Sequence, residues 1–429
     1  MVFMPHWPKM LKNKPIDLGL DRVKSALELM GNPHLKMPPV IHVAGTNGKG
    51  STIAMMAAIF KAAGYKAHIY TSPHLLNFNE RITIAGNNIS DEYLYQIMEE
   101  CRLATEGVKL TFFEGTTLGA FLAFSKNPAD VVLLETGLGG RLDATNVIEK
   151  PAMTVITPIS LDHTEFLGPN VRIIAGEKAG ILKTDTPCIS SMQTDEAQEV
   201  LERKAQQLNS PLYSFGYDWS VDKTAEGMVF KSKDNEDIQF PLPSLYGDHQ
   251  ILNAGAAIAA IKNLEQFDIS NESIAKGLQN IKWPGRLQNI QDGNLASMLP
   301  EGWELWLDGA HNLAGAHILS NIVSKEWQDK PLYIILGHTR GRDIPAFLSF
   351  FKDCTKHLCG ILVKTEPSAY KAEDIAKAAE EIGIKSSACD CVEDAINLIT
   401  SMEDKPARIL CCGSLYLISD VLTENKNYK

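Results

Sequence analysis

Residues 40–51, VIHVAGTNGKGS, decide the fold class of this 429-residue chain. The first five, 40–44, form a short apolar run without alternation, as expected for a strand that is buried on both faces. The next seven, 45–51, are rich in glycine and lead into an alanine-rich segment, 51–63, whose pattern predicts a helix. A strand, a glycine-rich loop and a helix in this order are the context that a phosphate-binding loop requires.

The chemistry of this loop favours a nucleotide phosphate. Glycines let backbone N–H groups turn inward around a phosphate, and the helix N-terminus adds partial positive charge. Lys49 is expected to reach the terminal phosphates, and Ser51 a metal or a phosphate. The spacing is a variant of G-x-x-x-x-G-K-[ST], since Val43 stands at the first glycine position and Gly50 separates Lys49 from Ser51. The alternative is a glycine-rich turn that binds no ligand.

Similar apolar runs recur along the chain and alternate with helical patterns. This alternation predicts an α/β protein with mostly parallel, doubly wound sheets. The further runs predicted as strands are 68–71, 131–134, 154–157, 305–307, 332–336, 360–363 and 408–412. The helical patterns include 21–30, 51–63, 91–105 and 372–382.

Two interruptions divide the chain. Between residues 187 and 243 the segments 213–219, 228–231 and 238–242 are interpreted as a small antiparallel element. A second break at 283–286 and the loose stretch 291–302 place a domain boundary near 290–300.

Composition and charge exclude several classes of function. The 41 Lys and Arg against 52 Asp and Glu give a net charge of −11, which argues against nucleic acid and against an anionic membrane face as partners. Residues 1–14 lack the apolar core of a signal peptide. The longest apolar stretch, 251–261, is too short to span a bilayer and is interpreted as a buried helix. The eight cysteines contain no C-x-x-C pair, so we expect reduced thiols in a cytoplasmic protein.

Polar residues follow several of the predicted strands and are candidates for a metal site. Glu135 ends one run like a Walker B acid, His163 follows another, and Ser72 follows a third. Singly, each has an ordinary explanation: a helix cap or salt bridge, a structural histidine, a turn. Their shared location at the carboxyl edge of a parallel sheet, beside the phosphate loop, favours oxygen-rich ligands for a divalent cation.

Seven motifs in fixed order make the chain recognisable. The ordered set resembles the folylpolyglutamate synthase/dihydrofolate synthase branch of the Mur ligase superfamily, and the resemblance as a whole covers about residues 15 to 414. The motifs are 41–51 (IHVAGTNGKGS), 71–81 (TSPHLLNFNER), 135–146 (ETGLGGRLDATN), 161–168 (LDHTEFLG), 177–181 (EKAGI), 284–286 (PGR) and 307–312 (LDGAHN).

The resemblance implies two domains and an ATP-dependent reaction. It implies a P-loop ATPase domain over 1–290, a linker near 290–300, and a smaller Rossmann-like, glutamate-ligase domain over 300–429, with the active site in the cleft between them. ATP phosphorylates a carboxylate, and the amine of L-glutamate attacks the acyl phosphate. The chain is expected to be a monomer that uses ATP and Mg²⁺.

The resemblance also implies individual roles. Ser72, Glu135 and His163 match the magnesium ligands, and Lys178 matches a lysine whose carbamylated form helps to hold a second metal; without the resemblance it is a helix lysine beside a glutamate. Arg286, otherwise a linker arginine, is expected to stabilise the γ-phosphate. The family's proline after LDGAHN is replaced here by Leu313. The implied ATP-binding positions are Asn47, Gly48, Lys49, Gly50, Ser51, Asn253, Arg286 and Asp308, and the implied catalytic residues are Lys49, Lys178, Arg286 and His311.

The substrate acid is predicted from segments that resemble the pterin side of bifunctional bacterial enzymes. Aromatic rings such as Phe112 and Phe113 can stack on a flat pterin, and a carboxylate such as Asp17 can accept from its N–H groups. The alternative for 111–114 is a core-facing helix start. The implied pterin and folate contacts are Ile16, Asp17, Leu18, Gly19, Thr111, Phe112, Phe113, Glu114, Arg141, Leu142 and Asp143.

These segments predict two activities: dihydropteroate plus glutamate giving dihydrofolate, and tetrahydrofolate plus further glutamates. A polyglutamylation-only enzyme would keep all the ATP motifs, so that alternative stays open. So do a Mur-type ligase acting on a different acid, and a P-loop switch or ATP-driven binding protein that forms no amide.

Overall fold

The computed structural model describes Trp7 and residues 17–233 and 235–425. Of the predicted site residues, only Ile16 lies outside the described part. The chain divides into two compact units, which are described separately. Unit 1 comprises Met1–Ser244 and Asp248–Lys282, and unit 2 comprises Leu245–Gly247 and Trp283–Lys429.

Unit 1 is built on a mostly parallel sheet, in agreement with the predicted α/β class. Within the described residues the sheet has eight strands in the order β4-β3-β2-β5-β1-β6-β7-β8. Strands β2, β5, β1, β6, β7 and β8 pair in parallel, whereas β3 and β4 are antiparallel additions at one edge. The strands are β1 (Val40–Ala44), β2 (Ala67–Tyr70), β3 (Ile82–Ile84), β4 (Asn87–Asn88), β5 (Val131–Glu135), β6 (Met153–Ile156), β7 (Cys188–Ser190) and β8 (Leu212–Ser214).

The central strands are buried on both faces because helices cover the sheet. Every residue of β1, β5 and β6 is buried, which accounts for their lack of apolar–polar alternation. The helices of unit 1 are α1 (Asp21–Leu29), α2 (Lys49–Ala62), α3 (Asp91–Ala104), α4 (Phe112–Lys126), α5 (Thr164–Leu167), α6 (Val171–Lys178), α7 (Asp195–Gln207), α8 (Asp248–Lys262) and α9 (Asn271–Gln279). Helix α8 contains the apolar stretch 251–261, which is buried as predicted.

A small antiparallel sheet follows the main one, but one of its predicted strands was wrong. Its strands are β9 (Trp219–Thr224), β10 (Gly227–Ser232) and β11 (Asn235–Phe240), in the order β11-β10-β9. The segment 213–219 is not one strand of this element, because Tyr213 and Ser214 belong to β8 and Trp219 begins β9. The Asp218 carboxylate accepts from the backbone N–H of Ser214 at 2.8 Å and closes a turn between them.

Unit 2 is a second α/β layer structure. Its sheet has the order β12-β13-β17-β14-β15-β16 within the described residues, and only β12 runs antiparallel to its neighbour. The strands are β12 (Gln288–Ile290), β13 (Glu304–Leu307), β14 (Leu332–Leu336), β15 (Thr355–Ile361), β16 (Ser386–Cys389) and β17 (Arg408–Cys412). The helices are α10 (Leu313–Glu326), α11 (Ile344–Ser349), α12 (Ala372–Glu381), α13 (Val392–Met402) and α14 (Leu415–Glu424).

Within the described residues, no helix has the length and apolarity needed to cross a membrane. All eight cysteines are free thiols, as expected from their spacing, and most of them are buried.

The close packing of α9 on α2 generates a stability prediction. A Cβ at Gly277 would lie 2.6 Å from the backbone Cα of Ile59, whereas a Cβ at Gly176, in α6, would meet nothing within 4 Å. We expect Gly277→Ala to lower the free energy of unfolding by about 1–3 kcal/mol through overpacking. The matched Gly176→Ala should raise it by about 0.5–1 kcal/mol through helix propensity. Urea titrations of both variants would check this, and equal effects would contradict the packing argument.

Candidate active site

The carboxyl ends of four neighbouring strands assemble the predicted nucleotide site in unit 1. Strands β2, β5, β1 and β6 are adjacent and parallel, so the residues that follow them emerge at one edge of the sheet. The phosphate loop follows β1, Glu135 ends β5, and Ser72 and His163 come after β2 and β6. The shared location predicted for these residues is therefore confirmed by the topology.

The phosphate loop is anchored to the segment after β6. The backbone N–H groups of Thr46 and Asn47 donate to the Pro158 carbonyl at 2.9 and 3.3 Å. The Thr46 hydroxyl donates to the Ser160 carbonyl and accepts from the Ser160 N–H, at 3.1 and 3.0 Å. Helix α2 starts at Lys49 behind an N-cap glycine, Gly48, which has no side chain that could accept from the first-turn N–H groups. These N–H groups can therefore serve an anionic ligand.

Two loop glycines are required by close packing as well as by conformation. Gly48 has φ +85°, and a Cβ there would lie 2.5 Å from the Asn253 side-chain oxygen. At Gly45 a Cβ would lie 1.8 Å from the Thr157 hydroxyl oxygen. Both glycines therefore let the loop backbone pack directly on neighbouring side chains. Together with the first-turn N–H groups of α2, the loop forms a backbone cradle that fits a bound phosphate. Asn253, predicted on the adenine side, is buried against the loop and donates to the Gln250 side chain at 3.0 Å.

Two lysines converge on one backbone carbonyl of this loop. Lys178 Nζ donates to the Gly45 carbonyl at 2.7 Å, and Lys49 Nζ donates to the same oxygen at 3.3 Å and to the Thr46 carbonyl at 3.3 Å. Lys178 is only 4% exposed. Burial, followed by the nearby charge of Lys49, lowers the pKa of Lys178 from 10.5 to about 7. A substantial fraction of Lys178 is therefore neutral near pH 7, as carbamylation requires.

Glu135 lies next to Lys49 and is a suitable metal ligand. It is 4% exposed, its Oε2 accepts from the Ser72 N–H at 3.1 Å, and its Oε1 lies 3.9 Å from Lys49 Nζ. A carboxylate and a serine hydroxyl are the hard oxygen ligands that Mg²⁺ prefers. The donor set therefore fits a divalent cation. Within the described residues no group of three or more His, Cys, Asp or Glu side chains is arranged to hold a metal. The predicted ligand set does not require such a group, because only Glu135 and His163 are of these residue types and the third ligand is Ser72.

His163 occupies an unusual backbone position at the start of α5. It has φ +49°, in the left-handed region that is uncommon for residues other than glycine. Its N–H donates to the Asp162 carboxylate at 2.8 Å, and its side chain is 39% exposed. The imidazole is thus accessible. In sequence, His163 follows Ser160, whose carbonyl accepts from the phosphate loop, by three residues.

The motifs 135–146 and 177–181 pack against each other through glycines. A Cβ at Gly140 would lie 2.7 Å from the Glu177 carbonyl oxygen, and one at Gly180 would lie 2.4 Å from the Arg141 Cα. The Arg141 guanidinium also donates to the Glu177 carboxylate at 2.8 and 3.0 Å. These contacts explain why both glycines belong to the motifs, and they fix the backbone on either side of Lys178.

Asp143 organises its own loop. Its Oδ2 accepts from the N–H groups of Gly137 and Leu138 at 2.9 and 2.8 Å. Its Oδ1 accepts from the Thr145 N–H and hydroxyl at 3.0 and 2.5 Å. The four hydrogen bonds use the usual acceptor positions of a carboxylate. Asp143 is therefore placed to shape the loop that carries Arg141 and Leu142.

Helix α4 begins at the predicted aromatic-acidic segment. Thr111 is its N-cap, and Thr111 and Glu114 form a capping box, in which the Thr111 N–H donates to Glu114 Oε2 at 2.7 Å. The alternative interpretation of 111–114, a helix start that faces the core, therefore holds for Glu114, which is buried. Phe112 and Phe113 are only partly buried. The ring of Phe113 packs so closely on Gly137 that a Cβ there would lie 2.4 Å from it.

In unit 2, one carboxylate links the motifs PGR and LDGAHN. Asp308 Oδ2 accepts from the Leu287 N–H, and its Oδ1 accepts from the Ala310 N–H, each at 2.8 Å. A Cβ at Gly309 would lie 2.5 Å from the Arg286 guanidinium. Asp308 thus holds Arg286 and His311 on neighbouring loops.

The proline that the family has after LDGAHN is replaced by Leu313, but the turn is secured in another way. Asn312 is the N-cap of α10, and its side-chain oxygen accepts from the Gly315 N–H at 2.9 Å. His311, which precedes Asn312, donates from Nδ1–H to the Gly309 carbonyl oxygen at 2.9 Å, so that nitrogen carries a proton.

Comparisons with known proteins match both units. Residues 43–261 match the Mur ligase middle domain, and residues 291–424 match the dihydrofolate synthetase C-terminal domain. The dihydrofolate synthase/folylpolyglutamate synthase of Bacillus subtilis is 34% identical over 420 residues, which cover 94% of each chain. The chain belongs to this family.

Solved structures of the family agree with the fold. Escherichia coli FolC in complex with DHPP and ADP superposes with a TM-score of 0.86 at 30% identity, covering 96% of this chain and 94% of that one. A bifunctional folylpolyglutamate synthase/dihydrofolate synthase with Mn, AMPPNP and L-glutamate bound gives a TM-score of 0.84 at 29% identity, covering 97% and 96%.

Several residues that shape the site of this family member were not predicted from the sequence. Thr157 and Ser160 anchor the phosphate loop, and Thr145 fixes Asp143. The D-x-T spacing of Asp143 and Thr145 is a turn signal that could have been recognised. Leu287 adopts φ +44° after Arg286, and nothing in a leucine indicates this conformation.

The lowered pKa of Lys178 generates a prediction about stability and pH. Because the folded-state pKa is about 7 and the ordinary value is 10.5, the unfolded chain binds more protons between these pH values. Stability should therefore rise with pH through this window. Lys178→Met removes the group, so its stability advantage over wild type should be largest below pH 7 and shrink towards pH 10. Denaturant titrations in bicarbonate-free buffer would measure it; a pH-independent difference would contradict the assignment.

Proposed function

We propose that the chain is an ATP-dependent ligase that joins L-glutamate to dihydropteroate, giving dihydrofolate, and to tetrahydrofolate in polyglutamylation. The observation that carries the proposal is the cluster at one sheet edge, in which Lys49 and Lys178 share the Gly45 carbonyl beside buried Glu135. A glycine-rich loop with a lysine, and a nearby carboxylate that can hold a metal ion, are recurring parts of sites that transfer a phosphoryl group. Family membership supports a pterin acid as the carboxylate substrate and L-glutamate as the amine substrate.

The chemistry solves the problem of a poor leaving group. A carboxylate oxygen of the pterin acid attacks the γ-phosphorus of ATP, the bond to the bridging oxygen breaks, and ADP leaves. The amine of glutamate then attacks the carbonyl carbon of the acyl phosphate. The carbon–nitrogen bond forms, phosphate leaves with the electron pair, and the amine loses a proton. Catalysis of the first step consists mainly of positioning and of stabilising charge on the phosphoryl oxygens.

Residues of unit 1 would provide most of this stabilisation. Asn47, Gly48, Gly50 and Ser51 bind phosphate oxygens, and Lys49 lies against the terminal phosphates. Ser72, Glu135 and His163 would hold Mg²⁺, which when bound supplies positive charge at the nucleotide oxygens. Lys178 in its carbamylated form would help to hold a second metal ion, and its burial beside Lys49 favours the neutral amine from which a carbamate forms.

Three residues of unit 2 are kept as proposed nucleotide contacts. Asp308 and His311 would contact adenosine and a phosphate, and Arg286 would stabilise the γ-phosphate. Asn253 of unit 1 lies on the adenine side. We keep the division into an ATP-binding domain, 1–290, and a glutamate-ligase domain, 300–429, as part of the proposal. The proposed enzyme acts as a cytoplasmic monomer and binds no nucleic acid.

The pterin acid would bind at the segments that carry Asp17, Leu18 and Gly19, Thr111–Glu114, and Arg141–Asp143. The partly buried rings of Phe112 and Phe113 can stack on a pterin. Since the carboxylates of Glu114 and Asp143 already accept backbone N–H groups, they act by shaping their loops. Ile16, outside the described residues, completes this set.

A substrate panel tests the function directly. With purified chain, Mg²⁺, ATP and glutamate, we expect ADP release to be stimulated by dihydropteroate and by tetrahydrofolate. Stimulation by tetrahydrofolate alone would identify a polyglutamylation-only enzyme. Stimulation by another acid alone would identify a different Mur-type ligase. A rate of ADP release that no acid in the panel stimulates would favour a P-loop switch protein and overturn the proposal.

The role of Lys49 is tested by Lys49→Ala. Removing one cation that stabilises the transferring phosphoryl group should lower kcat/KM for ligation by about 100-fold or more. The circular dichroism spectrum should stay unchanged, because the Lys49 ammonium contacts two loop carbonyls and the Glu135 carboxylate rather than the apolar core. Lys61→Ala, at the other end of the same helix, is the matched control and should keep full activity. Near-normal turnover of a folded Lys49→Ala variant would rule out the assigned role.

A further inference from the structure

Arg22, in the first turn of α1, bonds two segments that are remote in sequence. Its Nη1 lies 2.7 Å from Asp17 Oδ2, and its Nη2 donates to the Asp17 carbonyl oxygen at 2.7 Å. On its other side, Nη2 donates to Glu114 Oε1 at 2.9 Å and Nε to Glu114 Oε2 at 3.4 Å. One guanidinium thus joins residue 17 to residue 114.

Each end of this link is itself part of a segment assigned to the pterin acid. Asp17 begins the described part of the segment 17–19 and is exposed, whereas Glu114 is buried and closes the capping box of α4. The Glu114 carboxylate therefore holds Thr111 with one oxygen and Arg22 with both. The positions of residues 17–19 and of the α4 start depend on the same side chain.

The chemistry of arginine suits this task, and no other side chain would perform it. A planar guanidinium has five N–H donors in a fixed fork, so it can serve two carboxylates and a carbonyl at once. Lysine offers one point charge on a flexible stem and would hold one of these partners. Asp17 Oδ1 is not among the atoms that Arg22 contacts, so that oxygen can face the N–H groups of a pterin.

We infer that Arg22 is a positioning residue for the pterin acid, which holds the Asp17–Gly19 segment against the first turn of α4 so that both sides of the pterin site are formed before substrate binds. This inference rests on the proposed function. It assigns a role to a residue outside the proposed nucleotide and metal sites, whose side chain bonds Asp17 and Glu114. Loss of Arg22 should therefore weaken acid binding and leave the phosphoryl-transfer machinery intact.

The test separates KM from kcat. At saturating ATP and glutamate, we expect Arg22→Ala to raise KM for dihydropteroate about tenfold or more, because binding must then order the two segments. Arg22→Lys should give an intermediate increase. The KM for ATP and kcat should stay within about threefold of wild type. Since KM does not depend on the amount of active enzyme, a partly unfolded variant still gives the answer.

The matched control is Arg102→Ala. Arg102 also forks onto a carboxylate, that of Glu99, but both residues lie on α3 away from the proposed site. Its KM for dihydropteroate should equal that of wild type. An unchanged KM for dihydropteroate in Arg22→Ala, or equal increases in the KM values for ATP and dihydropteroate, would overturn the inference. Wild-type chain without pterin-dependent ADP release would instead refute the proposed function, and the inference with it.

Discussion

The Gly45 carbonyl, which accepts from both Lys49 and Lys178, is the constraint on which the nucleotide site depends. Two ammonium groups at one acceptor repel each other, and burial removes the water that would screen them. The chain relieves this conflict by lowering the pKa of Lys178, so near pH 7 the pair carries less than two full charges. The neutral form that this favours is the one from which a carbamate can form. The arrangement therefore leaves Lys49 as the full positive charge next to the phosphate loop.

The acids of the motifs act mainly on the backbone. Glu114, Asp143 and Asp308 were all predicted as ligand contacts, and each accepts at least one backbone N–H from a neighbouring loop or helix start. A buried carboxylate is expensive unless its oxygens are bonded, so these residues are fixed in one orientation. In the proposed enzyme they would act on a ligand through the residues beside them: Phe113 after the helix start, Leu142 in its loop, and Arg286 and His311 around Asp308.

Most strands and helices could be predicted from local sequence patterns. The features that were not predicted depend on hydrogen bonds that such patterns do not show. The strands 40–44, 332–336 and 408–412 coincide with β1, β14 and β17, because an apolar run ended by polar residues has few alternatives in a parallel sheet. The prediction of one strand over 213–219 was wrong because a turn closed by Asp218 divides the segment. The pattern of apolar residues does not reveal a side chain that accepts from a backbone N–H four residues earlier.

The same distinction holds for the site. The phosphate loop is contiguous, so its glycines and lysine could be predicted together. The bond from Lys178 to Gly45 joins residues 133 positions apart, and that from Arg22 to Glu114 joins residues 92 positions apart. No spacing rule spans such distances. The resemblance to a family identified Lys178 as a motif residue, but its burial beside Lys49, and hence the reason for its lowered pKa, became visible only in the folded chain.

Charge provides the last link between sequence and function. The net charge of −11 makes the chain as a whole repel ATP, a pterin acid and glutamate, all of which are anions. At physiological ionic strength the field of exposed charges decays within about 8 Å, so distant carboxylates have little effect in the cradle. Buried charges are screened much less. Lys49, whose side chain is 17% exposed, and the N-terminus of α2 would therefore determine the potential that a phosphate meets. Placing decisive positive charge away from bulk solvent lets an acidic protein bind anions.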